Sequence, residues 1–162
     1  MIKIIKVLFF CCIFSKFANA ETNINMPNCD YLVTFPGKPS LNDLFLSENI
    51  VYKQAEYYGD EFYLKAECIP FKLIGKEQLK NLMFNFGRAD GLNNMQLKSG
   101  FDKTGEWLKL RGYKKIGNDP VTYEIKAYYS SNSLIVMYAG TLSNKYPTNE
   151  IGKFLFSGAK LK

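Results

Sequence analysis

Between Gly59 and Phe71 apolar and polar side chains take turns, and that period of two constrains the fold more than any other feature of the chain. Phe62, Leu64, Ala66 and Cys68 fall on one side, and Tyr63, Lys65 and Glu67 on the other. Only an extended strand with one face buried separates residues in that way. The same rhythm returns at residues 121–129, where Val121, Tyr123, Ile125, Ala127 and Tyr129 alternate with Thr122, Glu124, Lys126 and Tyr128. Residues 51–58 and 62–71 flank Gly59-Asp60-Glu61 and read as a hairpin. Tyr31–Phe35 is a further strand, stopped by Pro36-Gly37-Lys38-Pro39, whereas the preceding ETNINMPN (residues 21–28) reads as polar and frayed. Residues 95–101 and 106–115 surround Asp102-Lys103-Thr104-Gly105. Ser130–Ser133 make the next turn, and Leu134–Ala139 form a nearly continuous apolar run, as expected of a central strand covered on both faces.

Two segments break the period of two. Leu79, Leu82, Met83 and Phe86 recur at helical spacing, with Gly75 placed to begin the helix and Gly87 to end it. Such a stripe serves a core rather than a ligand box. Pro147–Phe156 reads as a second helix, with Pro147 in its first turn and Ile151, Phe154 and Leu155 as its apolar face. The pattern therefore predicts one α+β domain over residues 21–162, an antiparallel sheet of six or seven strands with two packed helices.

The first twenty residues, MIKIIKVLFFCCIFSKFANA, read as a secretory signal peptide. Lys3 and Lys6 supply the positive start, Val7–Phe14 a short apolar core, and Ala18-Asn19-Ala20 the cleavage site. The apolar run is shorter than the roughly 20 residues needed to span a bilayer. Cleavage removes three lysines and no acid from 21 basic and 15 acidic residues, leaving a net charge of about +3. That charge is not clustered in a basic stripe, so a nucleic-acid partner is not expected. The product is expected in the periplasm or the secreted fraction. Cys11 and Cys12 leave with the leader, so Cys29 and Cys68 are expected to form one disulfide in an oxidising compartment.

Catalytic equipment is sparse. The chain contains no histidine, and oxidised cysteines supply neither a nucleophile nor a zinc ligand. The Asp90-Gly91 segment lacks the alternating oxygen ligands of a calcium loop. No glycine-rich phosphate loop or Gly-x-Ser-x-Gly elbow is present. Asp102-Lys103-Thr104-Gly105 matches the tetrapeptide around the phosphorylated aspartate of P-type ion pumps, but an exported chain of this length cannot supply their membrane spans or nucleotide domain. Asp at the first position and Gly at the fourth are what a hairpin turn asks for. No catalytic residue, metal or cofactor is therefore expected.

What remains is a surface. Trp107, Lys109, Arg111 and Tyr113 share one side of a strand, and Lys126 and Tyr128 lie on its expected neighbour. Leu108 and Leu110 face the other way, toward the helices. A cation-aromatic cluster of this kind suits a protein partner. Good strand formers on a half-exposed face would look the same.

The order of elements carries a resemblance. Three strands opening on VTFPGKP (residues 33–39), a helix, an antiparallel meander and a closing FLFSGAKL (residues 154–161) resemble the PsbP/Mog1-like group, seen among small exported bacterial proteins. There a Phe-Pro strand and a Phe-Leu-x-Ser-x-x-x-Leu segment bracket an antiparallel sheet. The resemblance implies an α/β/α sandwich and a role as an accessory or binding module, with no shared catalytic residue to carry across. The cysteine pair is not part of that motif. The expected function is thus an exported, non-catalytic binding or accessory protein of the bacterial envelope or secreted fraction. The alternatives are a carrier holding a small apolar ligand between sheet and helix and, third, a carboxylate-dependent hydrolase.

Overall fold

The computed structural model describes residues 20–47, 50–70 and 76–162; the side chains of residues 45–51 are not described. The expected leader therefore lies outside the described residues, apart from Ala20, and so does Gly75. In chain order the strands are β1 (Thr22–Asn25), β2 (Tyr31–Phe35), β3 (Ser40–Ser47), β4 (Ile50–Tyr58), β5 (Phe62–Pro70), β6 (Asn93–Asp102), β7 (Gly105–Ile116), β8 (Asp119–Tyr129), β9 (Ser133–Leu142) and β10 (Ala159–Leu161). Helix α1 (Lys76–Ala89) follows β5, and α2 (Asn149–Ser157) precedes β10. Seven strands form one antiparallel sheet in the order β3-β4-β5-β9-β8-β7-β6, and a small sheet runs β1-β2-β10. The α+β class, the sheet size and the two helices agree with the sequence pattern. The small sheet is new: TNIN (residues 22–25) pairs with β2 from Thr22↔Phe35 to Asn25↔Leu32 instead of fraying, and Ile24 packs on the core.

Apolar side chains gather into two cores, one on each face of the large sheet. Tyr31, Val33 and Phe35 of the small sheet and Ile151, Phe154 and Leu155 of α2 meet Leu64, Ala66, Ile135, Met137 and Tyr128. On the opposite face Leu79 and Met83 of α1 meet Leu108, Leu110, Ile125, Val136 and Tyr138. The helices thus lie on opposite faces, and the leucines of β7 meet only α1. Strand β9 is buried from Ser133 to Gly140, as its unbroken apolar run requires. Strand β8 departs from its pattern: Thr122, Glu124, Lys126 and Tyr128 are as buried as the residues between them. A polar side chain can be covered when it finds a partner, and the partners are described below.

The expected disulfide is present. Cys29 and Cys68 are bonded with Cα atoms 5.9 Å apart, and the bond ties the segment after β1 to β5. Helix α1 runs past Gly87. A Cβ at that glycine would sit 2.5 Å from the Met95 sulfur and 2.7 Å from a Leu110 methyl, so Gly87 allows close approach and does not end the helix. The stop comes at Gly91 (φ +72°), with Leu92 N–H donating to Gly87 C=O at 2.8 Å and Gly91 N–H to Arg88 C=O at 3.0 Å. That pairing is the Schellman arrangement. Pro147 likewise precedes α2; Thr148 caps it, its hydroxyl accepting from Ile151 N–H at 3.2 Å.

Candidate functional site

Register aligns the expected surface in transverse rows. Trp107 lies opposite Tyr128 on one side and Gly100 on the other; Lys109 lies opposite both Lys98 and Lys126; Arg111 lies between Gln96 and Glu124. Residues directly opposite in antiparallel strands share a face. This face therefore reads Gly-Trp-Tyr, then Lys-Lys-Lys, then Gln-Arg-Glu across β6, β7 and β8. Gly100 is the reason Trp107 can lie flat toward the sheet edge. A Cβ there would come within 2.3 Å of the indole ring.

Because α2 packs on this same face, the surface is a groove and not a flat patch. It encloses about 480 Å³ between the sheet and the helix, with Trp107, Lys109 and Lys126 on the sheet side and Pro147, Leu155 and Phe156 opposite. Phe101 and Phe156 stand at its rim, 80% and 74% exposed. The sequence had suggested neither aromatic; both are signalled only by being large, apolar and off the core stripe. Of the six expected residues, Trp107, Lys109 and Lys126 line this groove. Arg111 lies beside it, and Tyr113 is 40% exposed beyond it. Tyr128 is not part of the surface. It is 1% exposed and its ring lies tilted 6.3 Å from that of Tyr31 beneath the small sheet, because the Trp107 face is covered by α2 and by β1-β2-β10.

Two charged clusters form the floor. Lys126 is 4% exposed, its ammonium 3.1 Å from Asp102 and within 6 Å of the Trp107, Tyr128 and Phe156 ring centres. Cations over aromatic faces at that range are attracted by the ring quadrupole. Burial pushes the Lys126 pKa down, against the pull of Asp102. Asp102 is more than a turn residue. One carboxylate oxygen accepts from Thr104 N–H at 2.9 Å, which is the expected turn, and the other accepts from Tyr128 Oη at 2.8 Å and from Lys126. Burial raises its carboxyl, but those three donors outweigh burial and hold it below the usual range. Thr104 Oγ1 in turn donates to Ala159 C=O at 2.9 Å, tying the hairpin to β10. The second cluster is Glu124, reached by Lys109 at 3.3 Å and Arg111 at 2.9 Å, with Arg111 also donating to Tyr146 Oη at 2.9 Å. Its carboxyl too is raised by burial, then brought below the normal range by Tyr146, Lys109 and Arg111.

The groove offers an apolar wall, a flat indole and fixed charges, with both carboxylates committed to cations. Among the described residues no three acidic, cysteine or histidine side chains converge as a metal site. No helix among them is long and apolar enough to cross a membrane.

No protein family matches the sequence, and no curated protein is similar to it. The fold is similar to that of LpqN, described as involved in cell envelope biogenesis of Mycobacterium tuberculosis. The TM-score is 0.53 at 14% identity, over 88% of this chain and 91% of that one. At that identity the likeness is one of fold alone.

Proposed function

We propose that the protein is an exported, non-catalytic accessory protein of the bacterial envelope or secreted fraction, which docks a protein partner in the groove between β7 and α2. Membership of the PsbP/Mog1-like group belongs to the same reading. The observation that carries it is the combination of exposed Phe101 and Phe156 with the half-buried Trp107 over a charged floor. Tryptophan and arginine near a water-excluding rim are the residues in which binding energy concentrates. Export is supported by the leader-like first twenty residues and by the Cys29–Cys68 bond, which persists in oxidising compartments. The non-catalytic part is supported by the state of the two carboxyls. A general acid in glycoside hydrolysis needs a raised pKa, and Asp102 and Glu124 are both shifted downward.

A second reading, a carrier of a small apolar ligand, is favoured by volume. About 480 Å³ falls within the range of roughly 300–1,000 Å³ usual for small-ligand sites. The charged floor and open rim favour the protein partner. Trp107→Ala and Arg111→Ala test the proposal, each assayed for melting and for partner capture from the envelope fraction. Trp107 is only half-buried, so its truncation should cost less than the roughly 3–5 kcal/mol of a fully buried ring. Both variants are expected to stay folded and lose capture. Undiminished capture by both, with lipid co-purifying from the wild type, would favour the carrier.

A further inference from the structure

The groove runs out onto an open sheet edge, and the two together define what kind of chain fits. Strand β6 ends the seven-stranded order, and among the described residues it pairs only with β7. Its register is unbroken from Gln96↔Arg111 to Asp102↔Gly105, the irregularity being confined to Asn93–Gln96. Asp102 and Gly105 close a two-residue loop and so form a hydrogen-bonded pair, as do Gly100↔Trp107, Lys98↔Lys109 and Gln96↔Arg111 in alternation. The N–H and C=O groups of Leu97, Ser99 and Phe101 therefore point away from β7, toward the open edge. No proline interrupts this stretch. Such a row of unpaired groups is a template for an added strand.

The side chains beside that edge specify the occupant. Lys98, Lys109 and Lys126 stand directly opposite one another across three strands, and like charges so placed repel. Lys126 is answered by Asp102, and Lys109 by Glu124, which Arg111 shares. Lys98, the one at the edge, makes no ion pair among the described residues and is exposed. One row along, Gly100 presents no side chain and leaves the Trp107 indole as the next surface an incoming side chain would meet. We infer that the partner contributes an extended peptide segment which adds to β6 as a strand. It places an acidic side chain beside Lys98 and, two residues away on the same face, an apolar side chain on Trp107. This deepens the docking reading and rests on it. The occupant is a protein segment with an apolar and an acidic residue at strand spacing.

Trp107 is the only tryptophan in the chain, so its fluorescence reports the event. The probe is a synthetic peptide of about nine residues, a strand's length, alternating threonine and valine and carrying phenylalanine and glutamate two residues apart. It is titrated into the full mature protein beside a copy in which lysine replaces glutamate. The glutamate peptide is expected to shift the emission, with the lysine peptide weaker by roughly tenfold, the size of one close charge pair. Lys98→Glu should reverse that order of preference. Ser99→Pro removes an outward N–H, a change edge strands tolerate; it should abolish the response while the melting temperature and the groove remain. Equal response to both peptides, no reversal in Lys98→Glu, or normal binding by folded Ser99→Pro would overturn strand addition. A dimer in sedimentation that Ser99→Pro dissolves would overturn it too, giving the edge to a second copy. None of these results touches the groove reading, which stands or falls on Trp107→Ala and Arg111→Ala in partner capture.

Discussion

Asp102 shows how much a residue's neighbours change its meaning. From sequence it begins a turn, and asparagine would serve as well there. In the fold, Asp102→Asn keeps the acceptor for Thr104 N–H but leaves the buried Lys126 ammonium without its counter-charge. A broken buried pair costs about 3 kcal/mol or more, so this variant should melt well below the wild type. Asp102→Asn/Lys126→Met, which removes both charges, should recover most of the loss. The pH dependence has a definite sign. Asp102 has a lower pKa folded than unfolded, so its stabilisation is fully present above the unfolded carboxyl's pKa, about 3.9. It is lost as pH falls through the folded value. Thermal melting followed downward from about pH 6 should therefore show a steeper acid limb in the wild type than in Asp102→Asn. Equal limbs would mean that the carboxylate is not held by Tyr128, Thr104 and Lys126.

At the scale of elements, α2 is what turns a sheet face into a groove, and its start depends on one side chain. Thr148→Ala removes the acceptor for Ile151 N–H and should cost about 1 kcal/mol. Amide exchange should rise selectively in the first turn of α2, and an unchanged exchange pattern would deny Thr148 that role. The helix itself was legible, because Ile151, Phe154 and Leu155 recur at helical spacing and all three are buried. Its side of the sheet was not. Leu108 and Leu110 announce an apolar face, and Trp107 with Tyr128 reads equally as surface or core. The structure uses both faces, with Tyr128 fully inside. Strand β8 misled for a related reason: Glu124 and Lys126 look solvated until Arg111, Lys109 and Asp102 are brought to them by register. Short strands such as β1 and β10 leave too little periodicity to be seen, since three or four residues hardly sample a period of two.

For the whole molecule, the cysteine count foretold a link between the start of the chain and the sheet. Cys29 and Cys68 are 39 residues apart, a closure worth about 4 kcal/mol on the chain-entropy account. Cys29→Ser/Cys68→Ser should melt correspondingly lower, and reductant should depress the wild type alone. A wild type indifferent to reductant when fully unfolded and refolded would contradict that estimate. The groove was only half legible at this scale. Trp107, Lys109 and Lys126 were marked by their residue types, but Phe156 and Tyr146 come from distant segments that only the fold brings to the β6-β7 hairpin carrying Phe101. The most direct measurement on the proposed recognition face uses the two aromatics that the core does not need. Phe101 and Phe156 are mostly exposed, so Phe101→Ser/Phe156→Ser should leave stability within about 0.5 kcal/mol per site. Partner capture from the envelope fraction is then compared with the wild type at matched melting temperature. Loss of capture with the melting curve preserved is the predicted result; capture at the wild-type level would place recognition somewhere other than the groove.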